Sequence, residues 1–374
     1  MFKEKFEQIL AQADIKINGS RPWDVKICDE RIYARVAREG MNALGDAYID
    51  GWWDCDQLNV MFCKALKGKV NLALRNTWEN HMTFIKEKLF NLQSKSRAFI
   101  IGERHYDLGN NLYEAMLDKR LVYTCGYWKK AKTLDEAQEA KLHLVCKKIG
   151  LKKGQTILDI GCGWGSFAQF AAKEYGAKVV GITVSKEQVA LAQKRCKGLP
   201  VEIRLQDYRE VKEKFDHVIS LGMFEHVGCK NYREYMEVVH RCLKDNGLFL
   251  LHTMGQKDSY PNTKQPEVHW VINHIFPNGM IPSVKQIGES IDGLFVMEDW
   301  HNFGAYYEKT MLAWFANFDK NWEKIKEDYS EQFYRMWKYY LMICAGAFSA
   351  HDQYNVWQIV LSKNGVQGGY QSIR

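Results

Sequence analysis

The chain has 374 residues, 46% apolar and 26% charged, the balance of a soluble globular protein long enough for two domains. Only 6 prolines occur, which excludes collagen-like and proline-rich disordered classes. The formal charge of +7 is uneven: residues 1–63 carry −3, 64–104 carry +6, 105–118 carry −3, 119–153 carry +7, and 154–374 balance. The excess therefore sits in two stretches before residue 154, which points to an anionic partner such as a membrane surface or nucleic acid. No apolar run approaches the ~18–20 residues that span a bilayer, and residues 1–14 have no apolar signal-peptide core. The 10 cysteines include no C-x-x-C pair and read as reduced thiols of a cytosolic protein. The histidines show no metal-ligand spacing, so no metal is expected. Aromatic residues are plentiful, with 12 Trp, 19 Tyr and 18 Phe. They fit either a large core or a pocket whose ring faces stabilise a cation.

In chain order, 2–13 reads as a short amphipathic helix. Strand-like pieces follow at 15–17 and 24–28, then a helix at 31–38. The stretch 40–56, rich in glycine, aromatics and acids, reads as an irregular packed loop. Helices are expected at 58–66 and 72–89, and 91–103 reads as a connector. This first block lacks strand–helix alternation and looks mainly helical. From 134 the texture changes: helices at 134–149, 166–174, 186–197 and 231–243 alternate with strands at 155–160, 178–183, 201–205, 215–221 and 248–253. That alternation predicts a parallel, doubly wound α/β sheet. The tail adds strands at 294–299 and 355–361 and long helices at 306–326 and 332–348.

The most informative motif is Asp159-Ile160-Gly161-Cys162-Gly163-Trp164-Gly165, where a buried strand runs into alternating glycines and then a helix. Glycines let a ligand approach the backbone, and the helix start offers free N–H groups. A dinucleotide loop would space its glycines G-x-G-x-x-G and place its acid ~20 residues later. Here the spacing is G-x-G-x-G and the acid precedes it, which resembles class I S-adenosylmethionine-dependent methyltransferases. After the second strand, where such enzymes usually carry a ribose-binding acid, this chain has Thr183-Val184-Ser185-Lys186-Glu187-Gln188. After the third, Gln206-Asp207-Tyr208 stands where an acid usually meets the adenine amino group.

That departure, with the glycine loop, resembles the cyclopropane fatty-acid synthase family, which includes the mycolic-acid cyclopropane synthases. His105-Tyr106-Asp107-Leu108-Gly109-Asn110, Tyr123-Thr124-Cys125-Gly126-Tyr127-Trp128 and Gly222-Met223-Phe224-Glu225-His226-Val227-Gly228 resemble its motifs. So do Trp300-His301-Asn302-Phe303-Gly304 and the run from Tyr339 to Phe348. The likeness extends to the first block through Ile17-Asn18-Gly19, Tyr48–Trp53 and 89–95, a part typical of the bacterial phospholipid-acting members. It implies a Rossmann-like class I methyltransferase domain preceded by a small helical one: 1–90 as a lipid- and membrane-interaction domain, 91–104 as a linker, 105–374 as the catalytic domain.

The resemblance implies transfer of a methylene from S-adenosylmethionine to a cis double bond of a phospholipid acyl chain. The carbocation so formed is deprotonated by a bound bicarbonate. The bicarbonate ligands implied are Cys125, Glu225, His252 and Tyr307, with a backbone contact from Met254. Cys344 occupies the position of a cysteine long treated as an active-site residue. For the cofactor the resemblance points to Tyr123, Thr124, Asp159, Gly161, Cys162, Gly163, Gly165, Thr183, Gln188, Gln206 and Asp207. Each catalytic candidate also has a structural reading: Cys125 as a small packed residue, Glu225 as a helix cap, His252 as a core histidine, Tyr307 as one more core aromatic. Cys344 has small neighbours that suit tight helix packing. The partners implied are an anionic bilayer surface at the inner face of the bacterial cytoplasmic membrane, an unsaturated acyl chain, and a second copy in a homodimer. Lys64, Lys67, Lys69, Arg75, Lys129, Lys130 and Lys132 are the candidate membrane-facing cations, or else merely solvated helix faces. Two rivals stand beside this reading: a methyltransferase of the same fold acting on a small amine or another lipid, and a non-enzymatic lipid- or nucleic-acid-binding protein. The first block argues against the one, and the second leaves the glycine loop unexplained. Nothing beyond charge supports nucleic acid.

Overall fold

A computed structural model describes residues 2–73, 109–259, 266–277, 279–351 and 353–374. The expected helix at 72–89 and connector at 91–103 fall almost wholly outside these residues, as do Arg75, the motif at 89–95 and residues 105–108. The chain forms two compact units. The first comprises the described residues of Met1–Asn91, Pro261–Pro277 and Tyr307–Tyr354, and the second those of Leu92–Tyr260, Asn278–Tyr306 and Asn355–Arg374. This differs from a division in chain order, in which everything after 104 is one body.

In the first unit, helices Phe2–Gln12, Arg31–Glu39 and Leu58–Lys67 surround a small ribbon of β1 (Lys26–Ile27) and β2 (Trp53–Asp54). The stretch expected to be an irregular loop contains a helix, Met41–Ile49. Gly45, which reads as a helix breaker, is there for close packing: an added Cβ would lie 2.3 Å from the indole nitrogen of Trp270. The reason the late helices join this unit is their aromatic load. Tyr339, on helix Glu331–Ala350, is buried against Tyr48, Trp53, Phe62 and Trp270 at ring separations of 4.6–6.4 Å. Arg335 on the same helix donates to the Tyr48 and Trp53 carbonyls. Burial of rings this large dominates any local preference.

The second unit is built on β3 (Thr156–Ile160), β4 (Lys178–Thr183), β5 (Val201–Leu205), β6 (Phe215–Leu221), β7 (Leu243–Gln256), β8 (Val296–Asn302) and β9 (Tyr354–Ser362). Their order across the sheet is β5-β4-β3-β6-β7-β9-β8. β3 to β7 pair in parallel, and β8 pairs antiparallel with β9. β3 is buried on both faces, as a central parallel strand must be. Helices Leu134–Lys148 and Ser166–Tyr175 pack on one face through Leu142, Val145, Phe167 and Phe170. Helices Tyr232–Cys242 and Val284–Ile291 cover the other through Tyr235, Val239 and Ile287. Chain order reverses between β3 and β6, so the connections that leave their carboxyl ends run to opposite faces of the sheet and leave a crevice, the usual ligand position in such sheets.

Short polar signals set the helix starts. Thr133 and Glu136 form a reciprocal capping box, as do Ser283 and Gln286, and Ser185 caps the helix Lys186–Arg195. None of the described helices is long and apolar enough to cross a membrane, and the 10 cysteines, all among the described residues, form no disulfide.

Candidate active site

At the end of β3 the chain turns at Gly161 with φ +80°, and an added Cβ would lie 2.6 Å from the Met223 side chain. The turn therefore needs glycine, and it opens a cleft at the strand reversal. All the cofactor candidates except Gly165 line that cleft. Gly165 instead caps the helix Ser166–Tyr175 in the left-handed conformation, facing Ala192 and Cys196.

The cleft's polar groups are held from below. Thr183 donates from its hydroxyl to Gln188 Oε1 at 2.7 Å, and Ser185 accepts from the Gln188 amide, so this stretch is a pre-set turn. Asp207 accepts from the Arg209 amide and faces its guanidinium at 3.0 Å. Its carboxylate is thus already neutralised, while its neighbour Gln206 is anchored only by its backbone amide on Thr183. Asp159 is 2% exposed, and its Oδ2 has no hydrogen-bond partner. Burial pushes it up to about 7 against the pull of Lys141.

Lys141 and Gln138 are residues that the sequence reading passed over. Both are fully buried on the helix Leu134–Lys148. A signal existed: with Leu134, Val145 and Lys148 they fall on one helical stripe, where polar side chains interrupt the apolar positions.

The carboxyl ends of β6 and β7 carry the second cluster. Glu225 sits in a single 3-10 turn, Phe224–His226, whose backbone is pinned by the Met280 amide on the Glu225 carbonyl. Its Oε1 accepts from the Met254 amide at 2.6 Å, and its Oε2 is buried without a partner. Burial lifts this carboxyl to about 7, so it is partly protonated at neutral pH. The Met254 amide is therefore engaged by Glu225, and any part it takes in holding an anion runs through that carboxyl. His252, 2% exposed and 5.7 Å from the Phe303 ring, also has an unpartnered ring nitrogen, Nδ1. Burial, with Lys141 and Lys148, depresses its basicity and keeps the imidazole neutral. Its carbonyl accepts from the Gly222 amide, and Gly222 in turn lies against Thr124, next to the buried Cys125. The second unit thus gathers Cys125, Glu225, His252 and Met254. Tyr307 and Cys344 belong to the first, where Tyr307 packs on Trp314 and Phe348. Burial raises the Cys344 thiol to about 12, so it is not a ready thiolate nucleophile.

Residues 93–359 match the model of the mycolic acid cyclopropane synthetase family. The chain belongs to this family. It is 48% identical over 367 residues, 98% of its length and 94% of the relative's, to the cyclopropane-fatty-acyl-phospholipid synthase of Escherichia coli K12. Among solved structures it is similar to the cyclopropane synthase MmaA2 of Mycobacterium tuberculosis, at 29% identity and a TM-score of 0.67. It is similar also to the mycolic acid cyclopropane synthase CmaA1 complexed with SAH and CTAB, at 30% identity and a TM-score of 0.67. Each of these two alignments covers 71% of this chain and 98% of the neighbour. As a member of the cyclopropane synthetase family, the chain is a methyltransferase-fold enzyme that uses S-adenosylmethionine in lipid chemistry. The cleft fits that cofactor: a glycine-walled backbone on one side, and on the floor an acceptor oxygen of Asp159 for which the protein supplies no donor.

Proposed function

We propose that this protein converts cis-unsaturated acyl chains of membrane phospholipids into cyclopropane acyl chains at the carboxyl end of its sheet. The cofactor would supply an electrophilic sulfonium methyl, and a bicarbonate bound beside it would supply the base.

One observation carries the reading. Glu225 Oε2, in the turn after β6, and His252 Nδ1, on the neighbouring β7, are two buried polar atoms without partners beside the cofactor cleft. Such atoms cost stability unless something hydrogen-bonds them. A small oxyanion satisfies both: a protonated Glu225 donates to it, and neutral His252 donates or accepts according to its tautomer. Cys125, in the same unit, would add to the set; Tyr307 is assigned by the family resemblance alone. Phe303 beside His252 offers a ring face toward developing positive charge. The alkene is a weak nucleophile, so the enzyme's main contribution is to hold it in line and keep water out.

The substrate lies in a bilayer, and exposed cations would bring the enzyme to it. Lys129, Lys130 and Lys132 are exposed in the second unit, and Lys67 and Lys69 in the first. Lys64 is a weaker candidate, since it pairs with Asp14 and lies over Trp23. In this proposal the enzyme works as a homodimer on the inner face of the cytoplasmic membrane, and light scattering tests the dimer.

The deciding experiment is mass spectrometry of lipids after incubation with S-adenosylmethionine and cis-unsaturated phosphatidylglycerol vesicles. The expected product is heavier by one methylene in the acyl chain, without a double bond. A headgroup-methylated or methyl-branched product would overturn the assignment. Rigorous removal of bicarbonate should abolish turnover reversibly; full activity without it excludes the proposed base.

A further inference from the structure

The segment Asp118–Cys125 carries Tyr123 and Thr124 into the cleft and buries Cys125 next to them, yet it has no regular secondary structure after Met116. Its backbone cannot be placed by a ladder of main-chain bonds, so side chains do the placing. Asp118 accepts from the Arg120 and Val122 amides at 3.0 and 2.8 Å. Ser166 donates to the Leu121 carbonyl at 3.0 Å. From the helix Leu134–Lys148, Gln138 donates to the Thr124 carbonyl at 2.8 Å and Lys141 to the Thr124 hydroxyl at 2.8 Å. Gln138 and Lys141 are one helical turn apart, so one face of one helix grips both backbone and side chain of Thr124.

On its far side, Thr124 presses on Gly222: a Cβ there would lie 2.4 Å from the threonine methyl. Gly222 begins the segment that leads to Glu225 and bonds to the His252 carbonyl. Thr124 is therefore clamped between the lysine and the chain that carries the acid. A completely buried ammonium is a costly way to fill space, since desolvating it costs several kcal/mol unless its partners repay it. Lys141 has such partners around it in Thr124, Asp118, Cys125 and Asp159.

We propose that Lys141 is a positioning residue: through Thr124 it fixes the Tyr123–Cys125 segment against Gly222, so that Cys125 and the cofactor cleft are in register with Glu225 and His252. The inference rests on the function proposed above.

The test is a double-mutant cycle of Lys141→Met and Thr124→Val on the full chain. Turnover of vesicle phospholipid and binding of S-adenosylhomocysteine by calorimetry are read separately. Each single variant is expected to lower kcat at least tenfold while moving the S-adenosylhomocysteine Kd less than threefold. The double variant should be no worse than the poorer single one, because both changes break the same link. Lys141→Arg should recover part of kcat. Unchanged kcat in either single variant overturns the proposal, and so does multiplicative loss in the double. Parallel loss of kcat and affinity overturns it as well, by making the pair direct cofactor contacts. Where Lys141→Met does not fold, Thr124→Val alone decides, since it keeps the lysine and the shape of the side chain. Wild-type protein that bound no S-adenosylhomocysteine or made no cyclopropane would defeat the functional reading itself, before any variant is compared.

Discussion

Glu225 and Asp159 are carboxyls that burial holds near neutrality, at about 7 each. Both folded-state values lie above those of the unfolded chain, so each group favours the folded state at acid pH and loses that contribution as pH rises through 7. Glu225→Gln, which removes the charge and keeps the shape, should therefore raise the unfolding midpoint at pH 8 far more than at pH 5. The limiting difference is about 3 kcal/mol, the free energy between a carboxyl held at about 7 and an ordinary glutamate. Differential scanning fluorimetry at the two pH values checks this; an equal shift at both would contradict the buried-carboxyl account. The same variant should lower kcat on the order of 100-fold while leaving S-adenosylhomocysteine affinity within about threefold, the scale of a lost acid–base group. The identities of Glu225 and His252 could be read in the sequence from their motifs. Their unpartnered atoms could not, because those depend on the pairing of β6 with β7, which sets Leu221 beside His252.

Helix starts were the most legible elements. The helix expected at 134–149 begins at Leu134, where Thr133 and Glu136 form a reciprocal cap; Ser283 and Gln286 form another, before a helix Val284–Ile291 that was not expected. Thr133→Ala should cost about 1 kcal/mol, read as a lower urea midpoint, whereas Thr133→Ser should cost little. Strands β4, β5 and β6 occupy the expected residues, since β-branched runs bounded by helices leave few alternatives. Helices Met41–Ile49, Asn110–Met116 and Pro266–His274 were not expected either. Gly45 explains the first case: locally it disfavours a helix by about 1 kcal/mol. The missing side chain instead lets the Trp270 ring sit against the helix, where Trp270 Nε1 also donates to Asp46 at 3.0 Å. Gly45→Ala should accordingly destabilise the protein by about 1–3 kcal/mol despite its better helix propensity, because the new methyl overlaps the indole. A stabilised variant would show that the ring moves freely.

The chain's charge bears on the whole molecule. The +7 of residues 119–153 overstates what the surface can offer, since Lys141 and Lys148 within it are buried. Lys148 is committed to an internal network with Asp299 and His301. Exposed lysines remain at Lys119, Lys129, Lys130, Lys132, Lys147, Lys152 and Lys153, and Lys129, Lys130 and Lys132 form the tightest group in sequence. Changing all three of that group to Gln should weaken binding to anionic vesicles on the order of 100-fold at low salt, at about 1 kcal/mol per lysine, and flatten its salt dependence, as read by co-sedimentation. Binding indifferent to both salt and the substitutions would remove the electrostatic reading. The division into units makes a further prediction. A fragment of residues 1–90 lacks the helix that carries Tyr339, and with it the aromatic centre of its core. By circular dichroism it should not unfold cooperatively, whereas a self-standing domain would.

By itself the sequence determined the α/β alternation, the glycine turn and the family, because each is written in contiguous residues whose spacing has one physical use. Tertiary structure alone decided which distant segments share a core, and which cleft lies above the helical stripe that Lys141 and Gln138 interrupt. It alone left one oxygen of Glu225 and one nitrogen of His252 unpartnered. Those outcomes depend on long-range burial and desolvation, which no local pattern contains.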